Sequence, residues 1–491
     1  MTDVWLGLDL GTQSGRALAV SASGELVGQG SRRLASRRDG PRHEQVPEAW
    51  WQALAASCRD AVRGLDPTSI RGAALCGTSG TILLVDADSG EPLTPGLMYD
   101  DTRAVAEAGR VQEAGGELWA ELGYRIPPTW ALPKLVWLVQ EHRDLLPRAR
   151  LAHQPDLVTR RLVGREVPAD TSHALKTGYD LLHDTWPREV LAKLGVPEDL
   201  LPEVVLAGSR LGTVCAAAAA ETGIPEGTPV VAGMTDGCAA QLGAGALHVG
   251  SWNSVLGTTL VLKGVTPELL KDPNGVVYSH RSPDGGWLPG GASNTGAGVL
   301  TKEFPDRDLD ELGARAAERE PASVVTYPLA GQGERFPFTA PEAEGFALGE
   351  PADEADHFAS LLQGVAFIER LCFDYLDLLG ASIGGELSFT GGGARSRYWC
   401  QLRADVLDRP VRLLDNAEGA LGMAALAAAS VRGMSAADAA AELVRVREVI
   451  APRPDRVPRF RAPYLRLVDE LERRGWLVSH VANHARRRAA G

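Results

Sequence analysis

Two aspartates and four glycine-rich turns supply the residue types in this chain that could move a phosphoryl group. Asp9 is the last-but-one residue of the apolar run Val4-Trp5-Leu6-Gly7-Leu8-Asp9-Leu10, and Gly11-Thr12-Gln13-Ser14-Gly15 follows at once. Asp236 closes a second apolar run that starts at Pro229, and the small residues Gly237-Cys238-Ala239-Ala240 come after it. The other turns are Gly257-Thr258-Thr259, Gly290-Gly291-Ala292-Ser293-Asn294-Thr295-Gly296 and Gly391-Gly392-Gly393-Ala394-Arg395-Ser396. Small turn residues let backbone N–H groups converge on an anion, and a phosphate chain is the usual anion. An acid beside such a turn can hold a divalent cation through water. A carboxylate with room around it can accept a hydroxyl proton, the task of the base in phosphoryl transfer to alcohols. The plainer alternatives are that Asp9 caps its own turn and that Asp236 caps a helix. Neither acid decides the matter alone.

Other chemistries fall away. No Gly-Lys dipeptide occurs, so there is no Walker A loop, and no apolar run leads into G-x-G-x-x-G. Gly77-Thr78-Ser79-Gly80 is one residue short of a hydrolase elbow. The ten histidines do not cluster, and the six cysteines lie far apart without a C-x-x-C pair. That spacing reads as reduced thiols of a cytoplasmic protein, not as a disulfide framework or a zinc site. Fifty basic against 63 acidic residues give a net charge of −13, which disfavours nucleic acid as a partner. No window of about 18 residues is uncharged and apolar, so no membrane span is expected. Two carboxylates in the first nine positions argue against a signal peptide. Asp86-Ala87-Asp88-Ser89-Gly90 reads as a turn, Asp100-Asp101 as a solvated acid pair, and Arg486-Arg487-Arg488 as a solvated end. Trp5, Trp50, Trp51 and Trp137 read as core.

The elements that must position these residues follow from periodicity. At 491 residues the chain predicts at least two domains, and alternating helical and β-branched segments predict α/β architecture. Strands are expected over 4–10, 16–20 and near 25–30, then a helix from Pro47 to about 63 with Trp50, Trp51, Leu54 and Cys58 on one face. Strands 71–76 and 81–85 bracket the Gly77 turn. The stretch 104–228 reads as helix-dominated, and 229–233 as a short buried strand. The Gly/Ala-rich stretch 243–250 is the preferred boundary. Beyond it, 252–256, Gly257-Thr258-Thr259 and 260–263 repeat the strand, turn and strand of the opening, which suggests two related domains. A long helix over 356–379, strands 386–390 and 411–414, and an Ala-rich helix from Glu418 complete the pattern.

Taken together, Leu8-Asp9-Leu10-Gly11-Thr12, Gly233-Met234-Thr235-Asp236, Leu256-Gly257-Thr258-Thr259 and Thr390-Gly391-Gly392-Gly393, with the run on to Trp399, resemble the FGGY carbohydrate kinases in order and spacing. Gly77-Thr78-Ser79-Gly80-Thr81, Leu97-Met98-Tyr99-Asp100-Asp101, Ala174-Leu175-Lys176-Thr177-Gly178-Tyr179, Gly290-Gly291-Ala292-Ser293-Asn294 and Gly333-Glu334-Arg335-Phe336-Pro337 look like the xylulokinase-like D-ribulose kinases. The resemblance implies two actin-like, ribonuclease-H-type domains flanking an ATP and sugar cleft: 1–245, 246–450 and a helical tail over 451–491. It implies ATP with Mg2+ and a small-molecule ketopentose, D-ribulose before D-xylulose or another polyol, and it leaves a homodimer open. Asp236 would be the base, with Asp9 and Ser79 at the sugar. Gly11, Thr12, Gln13, Gly257, Thr258 and Gly291 would meet the phosphates, and Gly392, Gly393, Ser396 and Trp399 would lie along the adenosine. No side chain is expected to ligate the metal directly; Asp9 would reach it through water. Ser396 stands where the family often has Asn, and Thr78-Ser79 where many xylulokinases have Met-His. An actin-like nucleotide switch is the rival of another class; unlike a kinase, it would hydrolyse ATP without sugar and need no acid at 236.

Overall fold

The computed structural model describes residues 2–490. The chain divides into two compact units, Met1–Leu247 with His280–Trp287 and Asn416–Arg445, and His248–Ser279 with Leu288–Asp415 and Val446–Gly491. In the first unit, strands β1 (Val4–Leu10), β2 (Ser14–Ser21), β3 (Leu26–Arg33), β4 (Ile70–Gly77), β5 (Arg210–Thr213) and β6 (Pro229–Val231) form one sheet in the order β5-β6-β4-β1-β2-β3. Strand β1 runs antiparallel to β2 and parallel to β4, which places Asp9 opposite Arg16 on one side and Cys76 on the other. Its near-continuous apolar run is what a strand covered on both faces requires.

Two helices cover those faces. The Pro47–Ala61 helix starts on its proline and buries Trp50, Trp51, Leu54 and Cys58, packing against β2 and β3. The Gly419–Arg432 helix packs against β1 and β4, with residues 420–429 all buried. A Cβ at Gly7 would run into the Ala420 carbonyl, so glycine in the strand and alanine in the helix permit this close approach. Gly7 pairs with Leu18, whereas Gly28, which faces the Pro47–Ala61 helix, pairs with Ala19. Alternation along β2 therefore puts the two helices on opposite faces.

The second unit builds its sheet from β7 (Trp252–Leu256), β8 (Leu260–Gly264), β9 (Tyr278–Arg281), β10 (Trp287–Ser293), β11 (Leu387–Thr390), β12 (Val411–Leu414) and β13 (Val446–Ile450), in the order β9-β10-β8-β7-β11-β12-β13. Strand β7 is antiparallel to β8 and parallel to β11, β11 is parallel to β12, and β12 is antiparallel to β13. The same sequence of senses runs from β2 through β1, β4 and β6 to β5 in the first unit. The internal echo is thus a duplicated fold, of the ribonuclease-H type that the resemblance implies.

Four expectations need correction. Residues 416–445 do not close the second domain; they pack with the first unit, because the Gly419–Arg432 helix lies on β1 and β4. Residues 451–491 are not a separate tail: the Arg461–Arg473 and Ser479–Ala490 helices dock on the Glu354–Leu378 helix. Tyr464 and Arg488 both donate to the buried Asp374, at 2.5 and 2.7 Å, and Arg486 pairs with Asp469 at 2.7 Å, so the terminal arginines are anchored and not merely solvated. The helix-dominated middle also contains a strand, Ala149–His153, paired antiparallel with Ile82–Asp86. Ala-Arg-Leu-Ala-His carries little β propensity, and its partner strand decides its form.

Candidate functional site

The first unit gathers its acids at the end of β1. Burial, and after it the charge of Asp236, push the Asp9 carboxyl up from 3.8 to about 6, while Arg16 acts the other way. The Cys76 thiol donates to Asp9 Oδ1 at 3.4 Å from the neighbouring strand. Arg16 also meets Glu418 at 3.7 Å, so Asp9 and Glu418 share one arginine. Asp236 is the first residue of the Asp236–Gly243 helix and Thr235 holds the capping position, so the reading of Asp236 as a side-chain N-cap fails. Its carboxylate is exposed and, among the described residues, accepts only from its neighbour, Gly237 N, at 2.7 Å. The Gly11 turn is closed by Gly11 N donating to Ser14 O at 3.0 Å and is tied down by Gln45 Nε2 on Thr12 O at 2.6 Å. A Cβ at Gly11 would meet nothing closer than 3.6 Å, so its glycine leaves open space beside the amides.

The turn after β4 presents Ser79. Its hydroxyl is shielded from solvent and has no hydrogen-bond partner among the described residues. Lys176 Nζ reaches the Ser79 carbonyl at 3.3 Å. Beneath the turn, the fully buried Lys134 donates to Gly80 O at 2.6 Å and to Met98 O at 2.8 Å, and burial lowers its pKa from 10.5 to about 7. Asp100 and Asp101, read as a solvated pair, are anchored instead. Asp101 is buried against Arg103 at 2.7 Å and accepts from His43 N, while Asp100 accepts from Arg38 and His43.

In the second unit the equivalent turn is closed by Gly257 N on Thr259 O at 3.0 Å. Residues 295–298 back it: Leu260 N donates to Thr295 O, Ala297 N to Gly257 O and Gly298 N to Thr258 O, at 2.8, 2.9 and 3.1 Å. That backing segment is held by the buried Glu334, which accepts from Asn294 N, Ser293 Oγ and Thr295 Oγ1 at 2.7, 2.9 and 3.1 Å. After β11, Gly392 has open space around it, with nothing within 4 Å of an added Cβ.

Several expected nucleotide contacts do other work. A Cβ at Gly393 would come within 2.5 Å of Leu256 Cδ2, and one at Gly291 within 2.7 Å of the Phe336 ring, so both glycines serve packing. Ser396 caps the Arg397–Leu407 helix through Trp399 N at 3.3 Å. Trp399 is 3% exposed and donates its indole N–H to Leu362 O at 3.1 Å, so its ring is core and not an adenosine wall. Gln13 is exposed, with its carbonyl bonded to Leu34 N at 2.8 Å. Arg16, Glu418, Lys134 and Glu334 escaped the sequence reading as site residues. The signals were a lone lysine inside the apolar run 131–139 and a glutamate in the Gly333-Glu334-Arg335 motif.

Comparison with known proteins agrees with this geometry. The N-terminal domain model of the FGGY family of carbohydrate kinases matches residues 4–243, and the C-terminal domain model matches residues 252–431. The xylulose kinase of Streptomyces coelicolor is 33% identical over 489 residues, covering 95% of each chain. The L-fuculokinase of Escherichia coli is 28% identical over 446 residues, 86% of this chain and 91% of that one. The crystal structure of a xyloylose kinase from Brucella ovis superposes with a TM-score of 0.86 at 27% identity, covering 96% of this chain and 99% of that one. With both domain models matched in order and the duplicated sheet carrying their turns, the chain belongs to the FGGY carbohydrate kinases, phosphotransferases that act on a sugar hydroxyl.

Proposed function

We propose that this sugar kinase phosphorylates a ketopentose at the expense of ATP, with D-ribulose preferred over D-xylulose. The observation that carries the preference is the Ser79 hydroxyl, shielded yet without a partner. Leaving such a group unpaired costs about 1–3 kcal/mol, a cost that a ligand oxygen would relieve. A small hydroxyl that can donate or accept suits the C3 hydroxyl, whose configuration alone separates the two sugars. A site built to bond one hydroxyl rejects a misplaced one strongly. D-xylulose stands as the second reading because the relatives in S. coelicolor and B. ovis carry that sugar's name.

In this reading Asp236 takes the proton of the attacking hydroxyl, and its exposed position leaves room for a sugar beside it. Asp9 orients the sugar. Amides of the Gly11-Thr12-Gln13 and Gly257-Thr258 turns orient the phosphates, and the open backbone at Gly392 borders the adenosine. The acid-rich corner of Asp9, Asp236 and Glu418 has Arg16 as its cation partner, so a divalent cation would supply charge that the chain lacks there. Mg2+ suits that charge, since it keeps several waters and binds through one or two carboxylates and substrate phosphates; Asp9 would hold it through water. When bound, Mg2+ neutralises charge that develops on the transferring phosphoryl group. All six cysteines are free thiols, which fits a reducing compartment and supports a cytoplasmic place of action.

The test is a coupled ADP-release assay over D-ribulose, D-xylulose, pentitols and glycerol, on the wild type and on Ser79→Ala. D-ribulose should show the highest kcat/KM, and Ser79→Ala should raise its KM more than that of ATP. A better kcat/KM for D-xylulose, or ribulose kinetics untouched by Ser79→Ala, overturns the ribulose preference and leaves the kinase intact. ADP release that needs no sugar would favour the nucleotide switch.

A further inference from the structure

The turn that carries Ser79 and the helix start that carries Asp236 share one buried anchor, outside both motifs. Asp170 is 4% exposed and sits at the cap of the short Thr171–Leu175 helix. Its Oδ1 accepts from Ser172 N at 2.8 Å, Ser172 Oγ at 2.5 Å and His173 N at 3.1 Å, and its Oδ2 meets His173 Nδ1 at 2.6 Å. Two arms leave this carboxylate. Ser172 Oγ gives its proton to Asp170 and so is free to accept from Thr235 N, the amide just before Asp236, at 2.8 Å. His173 Nε2 reaches Gly77 O, at the head of the Ser79 turn, at 3.3 Å.

The protonation states follow from the partners. A carboxylate on Nδ1 and a carbonyl on Nε2 both require ring N–H donors, so His173 is an imidazolium with Asp170 as its counter-ion. Burial opposes both charges, but their attraction and hydrogen bonds outweigh it, holding Asp170 below and His173 above its ordinary value. Ser172 and His173 are themselves fully buried, so neither arm can exchange its partner for water. Gly77 N also donates to Met234 O at 3.4 Å, which ties the two targets directly to each other.

We infer that Asp170, Ser172 and His173 are positioning residues of the kinase: the Ser172 arm sets the backbone that aims Asp236, and the His173 arm sets the turn that presents Ser79. The inference rests on Asp236 being the base and Ser79 a sugar contact. An error of about 1 Å in such a geometry can cost 10²-fold, so loss of one supporting bond is expected to show at about the 10-fold level.

The test uses the full chain and whichever ketopentose it phosphorylates. Ser172→Ala removes one oxygen and should lower kcat about 10-fold, with KM for sugar and ATP within about 2-fold of wild type. His173→Asn keeps a donor at the Nδ1 position for Asp170 but loses the reach to Gly77; it should raise sugar KM about 10-fold at nearly unchanged kcat. His173→Gln, which keeps a donor at the Nε2 position, should restore sugar KM. Hydrogen exchange should quicken at residues 235–237 in Ser172→Ala and at 77–80 in His173→Asn. Equal losses in kcat and KM in both variants, or Asn and Gln behaving alike at 173, would reduce the anchor to a packing role and overturn the inference. If His173→Asn does not fold, the Ser172→Ala kinetics decide alone. Asp236→Asn serves as the control: inactive Asp236→Asn with unchanged Ser172→Ala kinetics refutes the anchor only, whereas an active Asp236→Asn refutes the underlying reading and the anchor with it.

Discussion

The two hairpins that open the two sheets share a backbone and differ in chemistry. Each has a central strand, a Gly-Thr turn and an antiparallel return, with a parallel strand on the other side. Aligning Gly11 with Gly257 puts Asp9 opposite Val255. Cross-strand neighbours change accordingly: Asp9 lies between Arg16 and Cys76, Val255 between Val261 and Thr390. The turns after the equivalent parallel strands diverge in the same sense. Gly77-Thr78-Ser79-Gly80 offers a free hydroxyl, while Gly391-Gly392-Gly393 offers bare backbone. Duplication thus places Gly-Thr turns in both halves, and the side chains put a carboxylate, Asp9, before the first turn and Val255 before the second. Phosphate needs only N–H groups and space, whereas taking a proton needs a carboxylate.

The sharpest way to break this asymmetry is Asp236→Asn. It should cut kcat by about 10²–10⁴-fold, the usual worth of a general base, while calorimetric ATP binding stays near wild type. Substantial turnover would place the base elsewhere. Next come Thr12→Leu and Thr258→Leu, one in each turn. If both turns orient phosphates, each should lower kcat about 10-fold or more through misplacement, with sugar KM little changed. Sensitivity in one half only would confine the phosphates to that half.

Within the glycine-rich turn of the second unit, Gly393→Ala and Gly392→Ala should separate. The added methyl at 393 would meet Leu256 at 2.5 Å, and overpacking of that kind costs about 1–3 kcal/mol, read as a lowered melting temperature. Gly392→Ala has room, so its melting temperature should hold while ATP KM rises. Equal melting temperatures for the two would remove the distinction between a packing glycine and an open one.

The smallest effect concerns Asp9 in metal-free protein. Its carboxyl titrates near 6 when folded and near 3.8 when unfolded. The folded state therefore binds the proton more tightly, and stability is lost as pH rises from about 4 through about 6. Asp9→Asn removes a charge that costs at most about 3 kcal/mol above that window, and should raise the melting temperature by a few degrees at pH 8. At pH 4 the gain should vanish. A gain independent of pH would mean that burial and the charge of Asp236 do not raise the Asp9 carboxyl, and that the two hairpins differ less than their side chains suggest.

The central strands of both sheets were legible because their periodicity is local, whereas Arg210–Thr213, Tyr278–Arg281 and Val446–Ile450 were not read as strands. Val4–Leu10 and Trp252–Leu256 form where apolar spacing puts them, and the Glu354–Leu378 helix ends just before Gly380, which adopts a φ of +89°. The Gly11, Gly257 and Gly391 turns were legible because glycine spacing carries their geometry, whereas the stretch 290–296, expected as a turn, continues as strand β10 through Ser293, with Gly290 and Gly291 paired to Lys263 and Leu262. Trp399 and Gly393 show where that reasoning stops. Both sit in a motif that reads as nucleotide-binding, yet one indole fills the core and one missing Cβ makes room for Leu256. Sequence spacing reports that a residue is near a site and says nothing of which way its side chain points.

From the sequence alone came the class of fold, its duplication, the phosphate-type turns and the two acids, since each depends on residues close in the chain. Tertiary structure decided the rest. It joined residues 416–445 to the first unit through the glycine at position 7, gave Asp9 its raised proton affinity through burial and Asp236, and left the Ser79 hydroxyl unpaired. It also brought Asp170 and its neighbours beneath Gly77 and Thr235 from 93 and 65 positions away along the chain. Dielectric environment, hydrogen-bond satisfaction and side-chain direction are set by whatever packs nearby, and in these cases the neighbours are distant in sequence.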